Sequence, residues 1–137
     1  MKLIYSKINP DLLLHIIVIR QDFTQPRIDI TDPCNFLQVA LMRVNEGRIF
    51  KPHRHIERDV TFKTIKAQES WVVIRGLIRA DLYDIDDKLL ISEIIAEGEG
   101  MITLNGGHTF QSLEDHTFIY EFKSGPYEGQ AKDKVFI

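Results

Sequence analysis

Two histidines one residue apart, His53 and His55, are the first pair in this sequence whose types and spacing suggest chemistry. Side chains alternate between the faces of an extended strand, so both imidazoles of His53-Arg54-His55 point one way and Arg54 the other. Two imidazoles and a carboxylate make a set that binds divalent transition metals. Glu69, which opens the apolar stretch Trp71-Val72-Val73-Ile74, can supply the carboxylate. His108, directly after Asn105-Gly106-Gly107, can add an imidazole from another strand. A set of His53, His55, Glu69 and His108 leaves coordination positions open for water or substrate. Glu57 and Asp59 lie nearer His55 in sequence and are alternative carboxylates. The plainer reading is a His-x-His on an exposed loop.

A second group sits near the end of the chain. By the same alternation Glu121 and Lys123 share one strand face, and Tyr127 follows the turn at Gly125-Pro126. If that face looks inward, Glu121 can serve as a general base or support a ligand, and Lys123 can hold an anionic or carbonyl oxygen. Tyr127 can then donate a proton or hydrogen bond. If it looks outward, the pair is solvated while Phe118, Tyr120 and Phe122 fill the core. Three further groups draw plainer readings. His15, inside the apolar run 12–19, is a core or dimer-interface histidine; His116, in an acidic turn, is a surface one; Cys34 is a small packing residue.

These residues need strands to position them, and the pattern supplies strands. Residues 3–5 form a short strand before the Asn9-Pro10-Asp11 turn, and 12–20, rich in β-branched residues, form a buried one. Residues 21–35, with Pro26 and Pro33, read as loop with one extended piece at 27–30. A strand over 36–45 then turns at Glu46-Gly47 into a partner over 50–55, with Pro52 disfavouring a central place. Residues 56–68 alternate charge with β-formers and read as an added hairpin, an edge strand, a lid or a solvated loop. Strands over 69–74 and 77–85 flank Gly76, and others follow at 89–96, 101–104, 108–113 and 117–123. If Glu69 faces inward, so do Trp71 and Val73, and a core role suits Trp71 best. Such close strand spacing without an amphipathic helix predicts an all-β barrel or sandwich.

Length and composition narrow the choice. With 137 residues and 44% hydrophobic content, the chain has enough material for one core and too little for two. Its net charge of −3 and lack of a basic stripe argue against a nucleic-acid partner. One cysteine excludes an internal disulfide and fits a reducing, cytoplasmic setting. The run 12–19 is too short to span a bilayer.

Gly47, His53-x-His55, Glu69 and Gly76 together resemble the first sequence motif of the cupins, with a longer excursion between His55 and Glu69. Gly98 and His108 match part of the second. His108-Thr109-Phe110, Leu113-Glu114-Asp115, the stretch from Tyr120-Glu121-Phe122-Lys123 to Ser124-Gly125-Pro126-Tyr127, and Lys132-Asp133-Lys134 are similar to the WbuC-type cupin-fold metalloproteins of bacterial surface-polysaccharide gene clusters. The resemblance implies a small antiparallel cupin (jelly-roll) barrel over 36–137 with 1–35 as an N-terminal strand and loop extension. It implies an iron, zinc, nickel or manganese ion held by His53, His55, Glu69 and His108, and turns Glu121, Lys123 and Tyr127 toward the pocket. It further implies a homodimer formed by strand exchange, with 12–19 at the interface. The function expected on this basis is binding or conversion of a sugar or nucleotide sugar for lipopolysaccharide or related polymers, by isomerisation, epimerisation or elimination. The alternatives are an iron-dependent dioxygenase, a non-catalytic carbohydrate-binding module, and a metal-free cupin working by acid and base.

Overall fold

Leu14, His15, Ile16, Ile17 and Val18 are all buried, a run that only a strand covered on both faces can sustain. In the computed structural model, which describes residues 1–57, 59 and 66–137, that strand is β2 (Leu13–Val18), inside a five-stranded antiparallel sheet. The sheet runs β1 (Lys2–Tyr5), β2, β8 (Gly100–Thr103), β5 (Glu69–Arg75), β10 (Phe118–Lys123). A three-stranded sheet, β7 (Leu89–Ala96), β6 (Leu77–Tyr83), β9 (Gly107–Ser112), packs on one face. A hairpin of β3 (Arg27–Asp29) and β4 (Ala40–Met42) packs on the other.

Alternation divides the core between these layers. Ile17, Trp71, Val73 and Met101 meet Ile78, Ala80, Leu82 and Ile95 of the three-stranded sheet. Their sequence neighbours Ile16, Val18 and Ile102 turn the other way, toward Leu41, Ile28 and Val39. Asp84 ties the turns together from a buried position: it accepts bonds from Ser6 Oγ at 2.5 Å, the Lys7 N–H at 2.6 Å and the Ile85 N–H at 2.7 Å.

The all-β expectation holds, and the described residues form three antiparallel sheets rather than a closed barrel, the two larger ones with outer strands β1, β10, β7 and β9. Within residues 1–35, expected as an N-terminal strand and loop extension, β2 lies between β1 and β8 in the main sheet. For the same reason 12–19, expected at a dimer interface, is mostly buried within one chain, both edges of β2 already paired. The strand expected over 36–45 shrinks to Ala40–Met42. Upstream of it Val39 N–H turns to the Thr31 hydroxyl at 2.9 Å and Leu37 N–H to the Gln68 side chain at 2.8 Å, local bonds that compete with a ladder. The strand expected over 50–55 is not formed among the described residues: 50–55 are exposed and have no ladder partner there, and Pro52 brings no N–H to a ladder. The hairpin or lid expected over 56–68 lies mainly outside the described residues. Cys34 is exposed rather than packed.

Candidate functional site

Strand register sets a row of polar side chains across one end of the main sheet. His15 is paired with Thr103, Thr103 with Glu69, and Glu69 with Lys123, so four neighbouring strands each place a polar group on the same face. The next row inward is Ile17, Met101, Trp71 and Glu121. The three-stranded sheet covers this face, and His108 of β9 reaches down to the row. Its Nε2 stands 3.2 Å from Glu69 Oε1, with the Glu69 side chain 8% exposed and that of His108 21%.

Trp71 walls the pair. Its ring meets His108 edge-on at 4.8 Å between centroids and Phe110 at 4.7 Å. Burial alone would push the Glu69 carboxyl up, but the contact and charge of His108, the facing Trp71 indole and the Lys134 ammonium outweigh it. Glu69 therefore titrates below the usual carboxylate range. The Trp71 N–H favours the carboxylate from a position short of hydrogen-bond geometry, and both Trp71 Nε1 and His108 Nδ1 are buried without a bonded partner among the described residues.

His15 closes the row. Its Nε2 lies 3.0 Å from the Tyr83 carbonyl oxygen, which can only accept, so Nε2 carries the proton. Its Nδ1, 3.1 Å from Thr103 Oγ1, then accepts from the Thr103 hydroxyl. Burial lowers the His15 pKa from 6.5 to about 4, with His108 adding to the depression, so the ring is neutral at pH 7. Gly106 makes the close approach possible: at φ +77°, a Cβ there would collide with the Tyr83 carbonyl oxygen and lie 3.2 Å from His15 Nε2.

Lys123 follows the row rather than the solvent. Its Nζ donates to Asp133 Oδ2 at 2.7 Å and sits 4.3 Å from the centre of the Tyr127 ring. Asp133 thus holds Lys123 at the row, with Tyr127 as a stacking partner. Glu121, beside Trp71 in register, is exposed, as are Phe118, Tyr120 and Phe122 on the opposite face. Past the short helix α1 (Gln130–Asp133), Lys134 lies near Glu69 and the Ile137 side chain rests over Gly107, so this stretch crosses the same end of the sandwich.

Of the four expected metal ligands the structure brings together Glu69 and His108. His53 and His55 sit on the exposed segment, their ring centroids 5.3 Å apart. No group of three or more His, Cys, Asp or Glu residues positioned to hold an ion occurs among the described residues. His53 Nδ1 donates to the Lys51 carbonyl oxygen at 3.0 Å, which leaves Nε2 with its lone pair free. Glu57, Asp59 and His116 are exposed. Reading the sequence missed Thr103, Asp133 and Lys134. Alternation in Met101-Ile102-Thr103 put Thr103 on the Met101 face, but only the register against β5 puts it beside Glu69. No family model, curated protein or solved structure matches the chain.

Proposed function

We propose that the Glu69 and His108 end of the sandwich is a metal-dependent small-molecule site of cupin type, acting on or binding a sugar or nucleotide sugar. The observation that carries this reading is the 3.2 Å separation of Glu69 Oε1 and His108 Nε2. Two donors each about 2.1 Å from one ion, meeting near a right angle, stand about 3 Å apart. The pair thus fits two ligands of a common centre. His53, with Nε2 unengaged, and His55 are the further donors. β9, which carries His108, has an outer edge without a partner among the described residues, and residues 51–55 added along it would run beside His108. Pro52 is tolerated there because an edge strand need not donate at every position.

An ion bound in this way supplies a Lewis acid that polarises a carbonyl or hydroxyl oxygen. The chain does the rest. Glu69 is ionised at neutral pH, Phe110, 40% exposed and backed by the buried Trp71, offers apolar surface to a sugar ring, and Glu121 stands in register with Trp71 on the same face to accept a proton. The carbohydrate assignment draws on the resemblance to the polysaccharide-cluster cupins.

A second reading rests on the same contact: without a metal, Glu69 and His108 form an acid and base couple. Elemental analysis of tag-free protein separates the two. About one iron, zinc, nickel or manganese ion per chain, lost in Glu69→Ala, His108→Ala and His53→Ala, supports the metal centre. Retention in the His53→Ala and His55→Ala variants limits the site to the buried pair. No metal in the native chain and none after reconstitution sinks the metal reading in favour of the couple.

A further inference from the structure

A cleft lies apart from the polar row, where β3 and β4 meet the chain that follows them. It encloses about 550 Å³, within the range of small-molecule sites, and its walls include Arg27, Arg43, Arg48, Met42, Val44 and Phe50. Local structure explains why three arginines converge. The register of the hairpin sets Arg27 opposite Met42, and the Arg43 N–H extends the pairing to the Pro26 carbonyl at 3.1 Å. A turn closed by the Arg48 N–H to the Asn45 carbonyl at 3.2 Å, with Gly47 at φ +76°, then brings Arg48 and Phe50 round to the same cleft.

Charge is what marks the site. The chain as a whole is acidic at −3, yet among the described residues no Asp or Glu lines this cleft. Arg27 is neutralised by Asp29 at 2.6 Å. Arg43 and Arg48 have no acidic partner among the described residues. Arg48 instead stacks over Phe50, its Cζ 5.4 Å from the ring centre, which holds the guanidinium at the cleft with its N–H groups unspent. Guanidinium forks match phosphate oxygens two at a time, and a flat ring is accepted by an aromatic or thioether wall. Met42, Val44 and Phe50 are 40–53% exposed and provide that wall.

We infer that this cleft binds a nucleoside diphosphate, with Arg43 and Arg48 on the two phosphates and the base against Phe50 and Met42. The assignment stands apart from the Glu69 and His108 reading and survives or fails without it. The test is calorimetric titration of the full chain at low ionic strength with uridine diphosphate, adenosine diphosphate, pyrophosphate and uridine. One nucleoside diphosphate should saturate one site per chain, with pyrophosphate and uridine each weaker. Arg43→Gln and Arg48→Gln should each weaken binding by about tenfold or more, the loss of a charge-assisted contact. Arg75→Gln, an exposed arginine outside the cleft, should leave it unchanged. All three positions are exposed, and circular dichroism checks that the variants fold. Absence of saturation, equal loss in the Arg75 variant, or pyrophosphate binding as tightly as the nucleotides would each overturn the inference.

Discussion

His15 should make the protein acid-sensitive over a window that a single substitution can remove. The ring is fully buried, both nitrogens are bonded, and its pKa falls from 6.5 to about 4. Between those values the unfolded chain holds a proton that the folded one rejects, so stability rises with pH across the window and is lost as pH falls from 6.5 toward 4. A shift of that size corresponds to about 3 kcal/mol in full, of which about 1 kcal/mol is gone by about pH 6 and about 2 kcal/mol by about pH 5. His15→Gln keeps an amide N–H for the Tyr83 carbonyl and an amide oxygen for the Thr103 hydroxyl, but has nothing to titrate. Urea denaturation of both proteins, stepped from about pH 7.5 to about pH 4, gives the difference in unfolding free energy at each pH. Carboxylates of low pKa contribute to both proteins and cancel in that difference. The variant, less stable near neutrality through imperfect packing, should close the gap by about 2 kcal/mol at about pH 5. Parallel curves would refute the account, because they would mean that His15 accepts its proton in the folded state as readily as in the unfolded one.

Other expectations follow from the same geometry. Gly106→Ala should cost about 2 kcal/mol or more in denaturation experiments, since it forces a left-handed residue into the Tyr83 carbonyl; a loss below about 0.5 kcal/mol would mean that the turn relaxes freely. Asp133→Asn weakens the bond to Lys123 and should cost about 1 kcal/mol while raising acrylamide quenching of Trp71, the single tryptophan. Unchanged quenching would show that residues 133–137 do not shield the site. Glu69→Gln should flatten the loss of stability on acidification, because a carboxyl held low stabilises the fold above its unfolded pKa and ceases to do so as pH falls through the folded one. Denaturation midpoints at about pH 7 and about pH 3 measure it, and equal acid sensitivity in the two proteins would contradict the contact with His108.

What was legible in the sequence follows from how local each signal is. β7 falls on residues 89–96 as the alternation predicts, and β5, β6, β9 and β10 fall within two residues of expectation, because each is a half-buried strand bounded by a turn. Period two alone put Glu69, Trp71 and Val73 on one face, and Glu121 with Lys123 on one face, without saying which face looks inward. Pairing has no such local signal. His15 and Thr103 are 88 residues apart, and nothing local says that β2 lies against β8. The apolar run was recognised as a strand while its place at the centre of the sheet was not. Residues 36–55 failed for another reason: strand-like composition and the Glu46-Gly47 turn favoured a hairpin there, but Thr31, Gln68 and Pro52 direct or remove the backbone bonds that strands need.

The polar row lets an apolar core and a polar end share one face of the main sheet. A core of Ile17, Val73, Met101, Ile78 and Leu82 could have continued to the end of the sheet, and apolar residues at His15, Thr103 and Glu69 would have cost less desolvation. Instead each polar group is bound to another part of the fold: His15 to the β6 carbonyl, Thr103 to His15, Glu69 to His108 of β9, Lys123 to Asp133. The bonds run between the two packed sheets as well as along the row, so they fix the separation of the layers at this end. At this end His108 Nδ1 and Trp71 Nε1 are buried without a hydrogen-bond partner among the described residues. Both lie where β5 faces β9, which is the place where a bound group would satisfy them together.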